Sequence, residues 1–311
     1  MQELNLADIL SEKPRGRNGI VALAGRANVG KSTLLNTILE EKVSIVSNVA
    51  QTTRNLIRAI LTEPRGQLVF LDTPGVHQAS YDLGKIMNRI ARNAAEGTDL
   101  MLMVLDTSTV PRAEDEGWFR RIVKYNLQPL MVLNKSDLGS QYEDDYRQLW
   151  ENVCAEKQAT PPTQWLHVSA TTGQGIPELL TAIFERMPEG PPLFPDDVLT
   201  DFPRKLAVGD MIREKLFAVL KQELPHAVAV QVRDIDETND KWTIHADILV
   251  DRPSQKGIVI GKKGRLLKNI RHKAQKEIAE TYEVPVTLTL WVKVERNWAK
   301  NHWILKQLGY V

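Results

Sequence analysis

Several features that define special classes of protein are missing from this sequence of 311 residues. It has one cysteine, Cys154, so an internal disulfide framework is excluded and a reducing compartment is indicated. Its longest strongly apolar run, residues 100–105, is far shorter than the roughly 20 residues that cross a bilayer. The mixed charges of residues 1–19 surround no apolar segment, so we expect no secretory signal. These absences favour a globular protein of the cytoplasm.

Low-complexity tracts are absent as well, and a hydrophobic fraction of 42% with a charged fraction of 25% is typical of ordinary folded cores. The length suits two domains. The net charge of +1 hides an asymmetry, because residues 1–204 carry 21 Lys and Arg against 26 Asp and Glu, whereas residues 205–311 carry 19 against 13. Residues 252–276 hold nine basic residues and no acidic one. Such a stretch is a solvated helix face unless a loop motif beside it indicates polyanion binding.

The first two thirds of the chain alternate short apolar runs with helical patterns, which predicts an α/β domain whose mostly parallel sheet has helices on both faces. The predicted strands are residues 20–24, 56–61, 67–71, 100–106, 130–133 and 165–168, and the predicted helices are residues 31–39, 86–95, 114–125, 142–157 and 177–186. Four prolines within residues 187–195 predict a linker. Beyond it, helices at 205–220 and 265–282 with strands at 227–234, 242–250 and 286–294 predict a smaller α+β domain.

A phosphate-binding loop lies between the first predicted strand and the first predicted helix. Its glycines let backbone N–H groups wrap a phosphate chain at the positive end of the helix. We expect Lys31 to reach the β and γ phosphates and the Ser32 hydroxyl to ligate Mg²⁺. This loop alone does not separate ATP from GTP. Its predicted nucleotide contacts are Gly25, Arg26, Ala27, Asn28, Val29, Gly30, Lys31 and Ser32.

A second phosphate-sensing motif ends a later predicted strand, at residues 72–75. Asp72 is placed to hold Mg²⁺ through water, and the backbone N–H of Gly75 is placed to sense the γ phosphate. Read alone, the sequence of Asp72, Thr73, Pro74 and Gly75 is typical of an ordinary turn. Its position after a strand that follows a phosphate loop makes it part of a nucleotide site instead.

Thr52 and Thr53 lie roughly twenty residues beyond the phosphate-loop lysine. A loop at this place can bring a threonine to the metal ion, and we favour Thr53 as the Mg²⁺ ligand with Thr52 beside it. The alternative is a threonine pair that simply enters a β-strand.

The motif that identifies the base is Asn-Lys-Ser-Asp at residues 134–137, directly after a predicted strand. The carboxylate of Asp137 matches the N1–H and N2–H₂ donors of guanine, which adenine lacks on that edge. We expect Asn134 to bond N7, the Lys135 stem to cover the base, and the backbone N–H groups of Ser169 and Ala170 to bond O6. A site built on such pairing rejects analogues that leave it unpaired, so GTP is predicted over ATP.

Val76 stands where many small GTPases carry a glutamine that orients the attacking water. Because valine cannot do this, we expect slow intrinsic hydrolysis that a monovalent cation, such as K⁺ held by the Asn28 amide oxygen, assists. The residues predicted to act in hydrolysis are Lys31, Asn28, Thr53 and Gly75.

An RNA-binding motif lies in the basic stretch of the second half. Residues 261–264 read Gly-Lys-Lys-Gly and open onto a basic helix, which is the arrangement of a KH domain, whose Gly-x-x-Gly loop clamps about four single-stranded nucleotides. The alternative is a glycine turn before an exposed basic helix. Trp298 and Trp303 are expected to pack the chain end onto the sheet rather than to form a stacking platform. The predicted RNA contacts are Ile260, Gly261, Lys262, Lys263, Gly264, Arg265, Lys268 and Arg271.

These motifs, together with the strand at 290–294 and the ending at 308–311, resemble the bacterial Era family, in which a GTPase domain precedes a type II KH domain. Ala27 departs from the proline that this family often has. The resemblance places an N-terminal extension at residues 1–17, the GTPase domain at 18–187, a linker at 188–204, the KH domain at 205–295 and a C-terminal helix and tail at 296–311. It implies Mg²⁺ as cofactor and GTP and GDP as ligands.

The resemblance also implies that the protein binds the 3′ end of 16S ribosomal RNA and assists maturation of the small (30S) ribosomal subunit. It further implies a cytoplasmic monomer with peripheral contact to the cell membrane. Two other functions stay open on the residues alone: a GTPase that acts on transfer RNA or protein translocation, and an RNA chaperone in which hydrolysis only resets affinity.

Overall fold

The computed structural model describes residues 16–47, 52–75, 82–159, 163–220, 224–238 and 240–310, and the chain forms two compact units. Unit 1 comprises Met1–Ser44, Leu56–Gln78 and Asn88–Asp201, and unit 2 comprises Ile45–Asn55, Ala79–Met87 and Phe202–Val311. The last boundary lies inside the predicted linker. The segments 45–55 and 79–87, which the sequence assigns to the first domain, belong to unit 2.

Unit 1 is built on one twisted sheet whose strands run in the order β2-β3-β1-β4-β5-β6. Strand β2 is antiparallel to β3, the other neighbours on this path are parallel, and the short β7 pairs antiparallel with β1. The strands are β1 Gly16–Ala24, β2 Ile57–Glu63, β3 Gly66–Asp72, β4 Leu100–Asp106, β5 Leu130–Asn134, β6 Gln164–His167 and β7 Glu189–Gly190. The helices are α1 Lys31–Leu39, α2 Asp82–Glu96, α3 Ala113–Lys124, α4 Glu143–Lys157 and α5 Ile176–Phe184, of which α2 continues into unit 2.

The central strands of unit 1 are buried on both faces. Every residue of β4 and β5 is buried, which explains why these strands are continuous apolar runs in the sequence. One hydrophobic cluster packs α1 and α5 against one face of the sheet, and a second packs α3 and α4 against the other. The predicted α/β fold is therefore observed.

The segment predicted as a linker packs against unit 1. The Ile60 amide donates to the carbonyl of Leu199 at 2.8 Å, and Phe194 joins a small apolar cluster on the outer strands. The Gln67 carboxamide accepts from the Phe194 amide at 2.8 Å and donates to its carbonyl at 3.0 Å. Residues 189–201 are thus part of the first unit rather than a free tether.

Unit 2 contains the α+β module predicted for the second half. Its elements are α6 Arg204–Phe217, β8 Val228–Asp236, β9 Trp242–Val250, α7 Pro253–Ile260, α8 Arg265–Tyr282, β10 Val286–Val294 and α9 His302–Gln307. The sheet has the order β10-β9-β8, with β10 parallel and β8 antiparallel to β9. The order helix, two strands, two helices and a strand is that of the predicted type II KH fold. No helix in the described part of the chain is long and apolar enough to cross a membrane.

Candidate functional site

The parallel register of unit 1 brings the ends of four strands to one edge of the sheet. Leu23 at the end of β1 pairs with Asp72 of β3, and Asp106 of β4 pairs with Asn134 of β5. Loops that leave these strand ends carry three of the predicted motifs. Ligands of open α/β sheets lie at this edge, so the fold supports the predicted position of the nucleotide.

The phosphate loop has the backbone geometry that its glycines predict. Gly30 precedes α1 with a φ of 98°, and Gly25 has a φ of 145°. A Cβ atom on Gly25 would lie 2.5 Å from the carbonyl oxygen of Val104, so a side chain there collides with β4. Backbone N–H groups therefore face the loop interior at the positive end of a helix.

The buried ammonium of Lys31 closes this loop. Its Nζ donates to the carbonyl oxygens of Gly25 at 3.2 Å and Arg26 at 2.9 Å. Burial lowers the pKa of Lys31 to about 8, although the Asp72 carboxylate opposes this shift. A phosphate chain beside Nζ stabilises the charged form. Nucleotide binding above pH 8 is therefore expected to take up a proton at this lysine.

Asp72 has the environment of a metal ligand. Its carboxylate is fully buried, and Oδ2 accepts hydrogen bonds from the hydroxyls of Ser32 and Ser44, each at 2.7 Å. Oδ1 is buried and has no hydrogen-bond partner among the described residues. Burial raises the pKa of Asp72, hydrogen bonds from Ser32 and Ser44 oppose this shift, and a bound cation favours the charged form further. A Mg²⁺ ion held by Ser32, Asp72 and nucleotide phosphates fits this arrangement.

Ser44 and Asn36 are functional candidates that the sequence analysis missed. The Asn36 carboxamide oxygen accepts from the amides of Val43 at 3.1 Å and Ser44 at 2.9 Å, and its nitrogen donates to the Ser44 carbonyl at 2.8 Å. Helix α1 thus fixes Ser44, and the Ser44 hydroxyl fixes Asp72. Sequence spacing gives no signal for this chain of contacts, because Ser44 and Asp72 are 28 residues apart.

Replacing Ser44 with alanine tests this arrangement. We expect Ser44→Ala to raise the Mg²⁺ concentration at the midpoint of the titration about 10- to 100-fold. The reason is that a hydrogen bond to a charged group contributes about 1.5–3 kcal/mol. The measurement is the dissociation rate of fluorescent GDP during a Mg²⁺ titration. Ser44→Thr keeps the hydroxyl and serves as the control. The GDP affinity of Ser44→Ala in EDTA, without Mg²⁺, should differ less than about twofold from that of the parent. An unaltered Mg²⁺ midpoint in Ser44→Ala contradicts the positioning role.

The Asn134 side chain connects the phosphate loop to the base-reading loops. Its Nδ2 donates to the Val29 carbonyl at 2.7 Å, and its Oδ1 accepts from the Ala170 amide at 3.0 Å. The side chain is 1% exposed. A Cβ on Gly30 would collide with this amide, which adds a second reason for glycine at that position. The second hydrogen of Nδ2 is the donor that remains for the predicted bond to guanine N7.

Asp137 is exposed, and its carboxylate is oriented by a neighbouring loop. The Ser169 hydroxyl donates to Asp137 Oδ1 at 2.6 Å. The backbone amides predicted to bond guanine O6 are engaged within the protein, that of Ser169 with the Gln174 carbonyl at 2.9 Å and that of Ala170 with the Asn134 side chain. Guanine O6 must therefore share one of these amide donors with its present acceptor or displace that acceptor.

A buried ion-pair network that the sequence analysis missed supports the same edge of the sheet. Arg26 Nε lies 3.1 Å from Asp115 Oδ2, and Asp115 is completely buried at the start of α3. Lys135 Nζ lies 2.7 Å from Asp106 Oδ2, and Arg26 lies 3.8 Å from the same carboxylate. Asp106 ends a strand beside Asn134, so its place at the strand end is a signal that could have identified it. The ion pair therefore fixes the Lys135 ammonium, while the stem of the side chain is the part predicted to cover the base.

The motif at 72–75 lies against the phosphate loop. The Thr73 hydroxyl donates to the Leu23 carbonyl at 2.7 Å. A Cβ on Gly75 would lie 2.6 Å from Ala27 Cα, so the two backbones are in close contact there. Pro74 connects these two residues, and Val76 lies outside the described residues. The arrangement suits a Gly75 amide that senses a γ phosphate.

Thr52 and Thr53 belong to unit 2, whereas Ser32 and Asp72 belong to unit 1. Arg213 Nη2 donates to the Thr52 carbonyl at 2.8 Å. The next residue, Arg54, is fully buried in unit 2, where it donates to the carbonyls of Val228 at 2.9 Å and Pro225 at 3.2 Å. The predicted Mg²⁺ threonine, Thr53, thus directly precedes a residue that is anchored in unit 2.

The glycine loop of unit 2 has the geometry of a KH loop. Gly261 and Gly264 each have a φ of 71°, and Lys263 between them has a φ of 52°. Gly261 ends α7 and Gly264 begins α8, so the loop joins two helices. Ile260 is half-buried at the end of α7. The basic side chains predicted to meet phosphates are exposed at Lys262, Lys263, Arg265 and Lys268, and Arg271 is half-buried.

The tryptophans near the C-terminus divide into two groups. Trp298 is 2% exposed, and its Nε1 donates to the Ala227 carbonyl at 3.1 Å, as expected of a core residue. Trp303 is 71% exposed, which contradicts its predicted packing onto the sheet. Its helix α9 presents a polar and an apolar face, and Trp303 lies on the polar one.

Family models match both units. A model described as a 50S ribosome-binding GTPase matches residues 20–135, and a model of the KH domain matches residues 223–299. Among curated proteins, the chain is 42% identical over 296 residues to GTPase Era of Geotalea uraniireducens, a match that covers 94% of this chain and 98% of that protein. It is 40% identical over 294 residues to GTPase Era of Lacticaseibacillus paracasei, covering 94% and 96%.

Two solved structures resemble the whole chain. One is a tyrosine-to-alanine variant of Aquifex aeolicus Era bound to GDP and AlF₄⁻, and the other is Era in complex with MgGDPNP and nucleotides 1506–1542 of 16S ribosomal RNA. Each is 35% identical, covers 95% of this chain and 99% of that chain, and has a TM-score of 0.86. The family resemblance seen in the sequence motifs is confirmed by these matches.

Proposed function

This chain belongs to the Era family of GTPases, and from that premise we propose that it is a GTP-driven switch that binds the 3′ end of 16S ribosomal RNA during assembly of the small ribosomal subunit. GTP is hydrolysed with Mg²⁺ in unit 1. The KH fold of unit 2 binds the RNA.

One observation carries the guanine-nucleotide assignment. The Asn134 carboxamide bonds the phosphate loop at Val29 and the base-reading loop at Ala170. Asp137 and Lys31 are therefore held to one site, where the carboxylate meets the base and the ammonium meets the phosphates of the same nucleotide. Ser169 orients Asp137 Oδ1 and leaves Oδ2 to accept from guanine.

Exchanging the Asp137 carboxylate for a carboxamide should change the preferred base. Asp137→Asn cannot accept from both guanine donors, so we expect GDP affinity to fall at least about 100-fold. Xanthine carries an oxygen in place of the 2-amino group, so the new N–H₂ can donate to it and affinity for XDP should rise. The measurement is displacement of a fluorescent nucleotide by GDP and by XDP.

The control for this exchange is Asp144→Asn, which removes the same charge from an exposed position on α4. It should leave both affinities within about twofold of the parent. Unchanged GDP affinity in Asp137→Asn contradicts the assignment of the base contact.

For hydrolysis we propose that K⁺ assists from a position beside Asn28. Asn28 is exposed in the phosphate loop with a φ of 64°, a left-handed conformation that asparagine tolerates well. Its amide oxygen is a suitable ligand for a monovalent cation. Lys31 and the Gly75 amide stabilise charge on the γ phosphate.

Replacing K⁺ with Na⁺ should slow GTP hydrolysis at least about tenfold, because a cation that fits stabilises charge developing between the β and γ phosphates. The measurement is phosphate release in KCl and in NaCl at equal ionic strength. Asn28→Gly removes the amide but tolerates the positive φ, so it should abolish the difference while retaining GDP binding. Equal rates for the two ions in the parent protein remove the proposal.

For RNA, the proposal rests on the KH fold and on the relative crystallised with a 16S fragment. The name of the matching GTPase model refers to the 50S subunit, but that model covers only residues 20–135 and not the KH fold. The relative covers nearly all of this chain, and its RNA is a small-subunit RNA. We therefore assign the 16S RNA, with Lys262, Lys263, Arg265, Lys268 and Arg271 as its phosphate contacts.

Removing both loop lysines should weaken this RNA contact without affecting the nucleotide site. We expect Lys262→Ala with Lys263→Ala to lower affinity for a 16S 3′-end RNA about tenfold or more and to reduce the slope of log affinity against log salt by about 1.4, since each phosphate contact to a single strand contributes about 0.7. Fluorescence anisotropy over a salt series measures both. The control, Lys124→Ala with Lys157→Ala, removes the same charge from exposed positions of unit 1, and an identical loss there contradicts a specific contact.

We further propose that GTP controls RNA affinity through Thr53 and Arg54. Thr53 is the predicted Mg²⁺ ligand, and the next residue, Arg54, binds carbonyl oxygens of unit 2. Binding of GTP thus competes with that anchor. Peripheral membrane contact and a monomeric state remain predictions of the family resemblance.

A further inference from the structure

The sheet of unit 2 has one face that is only partly covered. Helices α6 and α8 pack against the first face and form the main core of the unit. On the second face, Ala229 and Leu249 are covered by Trp298, Leu305 and Leu308 from the C-terminal segment. The part of this face along β10 remains open, and Trp291 is exposed there.

Trp291 lies in this open part. It is 63% exposed although it sits in the middle of β10, where its neighbours Leu290 and Val292 are buried in the core. It shares its face with Thr289 and Lys293, and it is directly opposite Asp247 of β9. A large indole exposed in mid-strand contributes nothing to the core, because the alternation of the strand turns it away from the helices.

Two cations share the carboxylate of Asp247, the β9 residue opposite this indole. Asp247 is completely buried and forms ion pairs with Arg233 of β8 and with Lys293, whose Nζ lies 2.9 Å from Oδ2. Both basic side chains are about half exposed, at 53% and 43%. The three groups together carry one net positive charge, and Asp247 holds one cation on each side of β9.

We propose that this face is a second RNA-binding surface, on which an unpaired base stacks on Trp291 while the adjoining phosphates contact Lys293 and Arg233. An exposed aromatic ring on a sheet, flanked by cations, is the arrangement with which sheet proteins bind single-stranded nucleic acid. The inference rests on the proposed RNA-binding function of unit 2.

The position of Trp291 favours RNA as the occupant. Helix α7, which leads into the Gly261–Gly264 loop, packs beside β10, so the proposed groove and Trp291 border the same strand. A KH groove holds about four nucleotides, whereas the RNA in the complex of the related Era is a fragment of nucleotides 1506–1542. An RNA of that length extends beyond the groove, and the face that carries Trp291 lies on the other side of the same edge strand.

Acidic residues limit the path across this face. Asp234 and Asp236 of β8 pair with His245 and Thr243 of β9, away from Trp291. A polyanion is repelled from that corner of the sheet. The RNA is therefore expected to run along β10 and to cross β9 at Asp247, where Lys293 and Arg233 meet.

The test compares two RNAs and three variants of the full chain. The RNAs are the 37-nucleotide fragment that corresponds to the one in the related complex and an oligonucleotide of about five nucleotides from its 3′ end, which fills a KH groove alone. We expect Trp291→Ala to lower affinity for the long RNA about 5- to 150-fold, the range that corresponds to loss of one base-aromatic stack. Affinity for the short RNA should change less than about twofold. Fluorescence anisotropy measures both.

The matched control is Trp303→Ala, which removes the other strongly exposed tryptophan of the C-terminal segment and should leave both affinities unchanged. Trp291→Phe retains a stacking ring and should restore most of the affinity for the long RNA. Circular dichroism and GDP binding establish that each variant is folded.

Equal affinity of Trp291→Ala and the parent for the long RNA overturns the proposal. An equal loss for both RNAs also overturns it, because Trp291 would then belong to the groove. If the parent itself does not bind the long RNA, the proposed 16S function fails first, and this surface loses its partner with it. A lysate protein or a lipid vesicle that binds the parent but not Trp291→Ala, with RNA binding unaffected, assigns the face to another partner.

Discussion

The nucleotide site depends on one buried carboxamide. Asn134 has to bond the Val29 carbonyl and the Ala170 amide at once, and it does so only because Gly30 has no side chain in its way. Each bond alone is a modest contribution, but an unpaired polar group at 1% exposure costs about 1–3 kcal/mol. The two bonds are therefore kept or lost together. They hold the loop that grips phosphate and the loops that read the base in one fixed relation, on which the selectivity for guanine relies.

The charges near the Asn134 side chain make the site favourable for a charged ligand. Lys31 and Asp72 are both buried, and burial lowers the pKa of the lysine and raises that of the aspartate, so each charge is destabilised in the same place. A nucleotide phosphate beside Lys31 and a cation beside the unpartnered Asp72 Oδ1 relieve both costs. By contrast, the neighbouring residues Arg26 and Asp115 neutralise each other in an ion pair, which has a structural role. The nucleotide phosphate and its metal ion thus neutralise the two charges, those of Lys31 and Asp72, that burial destabilises.

Local signals were sufficient for most of this architecture. Residues 100–106 and 130–134 read as buried strands because both faces of them are apolar, and the phosphate loop is specified by glycines whose positive φ angles the structure contains. Helix α7 was missed because Pro253 and Gly257 weaken its helical pattern. Contacts between distant parts of the chain were missed as well, such as that of Ser44 with Asp72, and that of Arg54 with a carbonyl 174 residues away. No spacing rule reports such a contact, because it exists only once the chain has folded.

The anchor at Arg54 has the energetic character that a switch requires. Arg54 and Arg213 are both fully buried, yet only one carboxylate, that of Asp210, neutralises them in the described structure around them. Burial lowers the pKa of Arg54, and the neighbouring Arg213 lowers it further, while carbonyls and the rings of Phe217, Trp298 and Tyr310 are its partners. Desolvation of the extra charge offsets much of what these contacts contribute. A ligand shifts such an equilibrium only by its differential affinity for the two states. Because the contacts of Arg54 are stabilised by a small difference between large terms, the proposed coupling requires only a ligand whose differential affinity exceeds that difference.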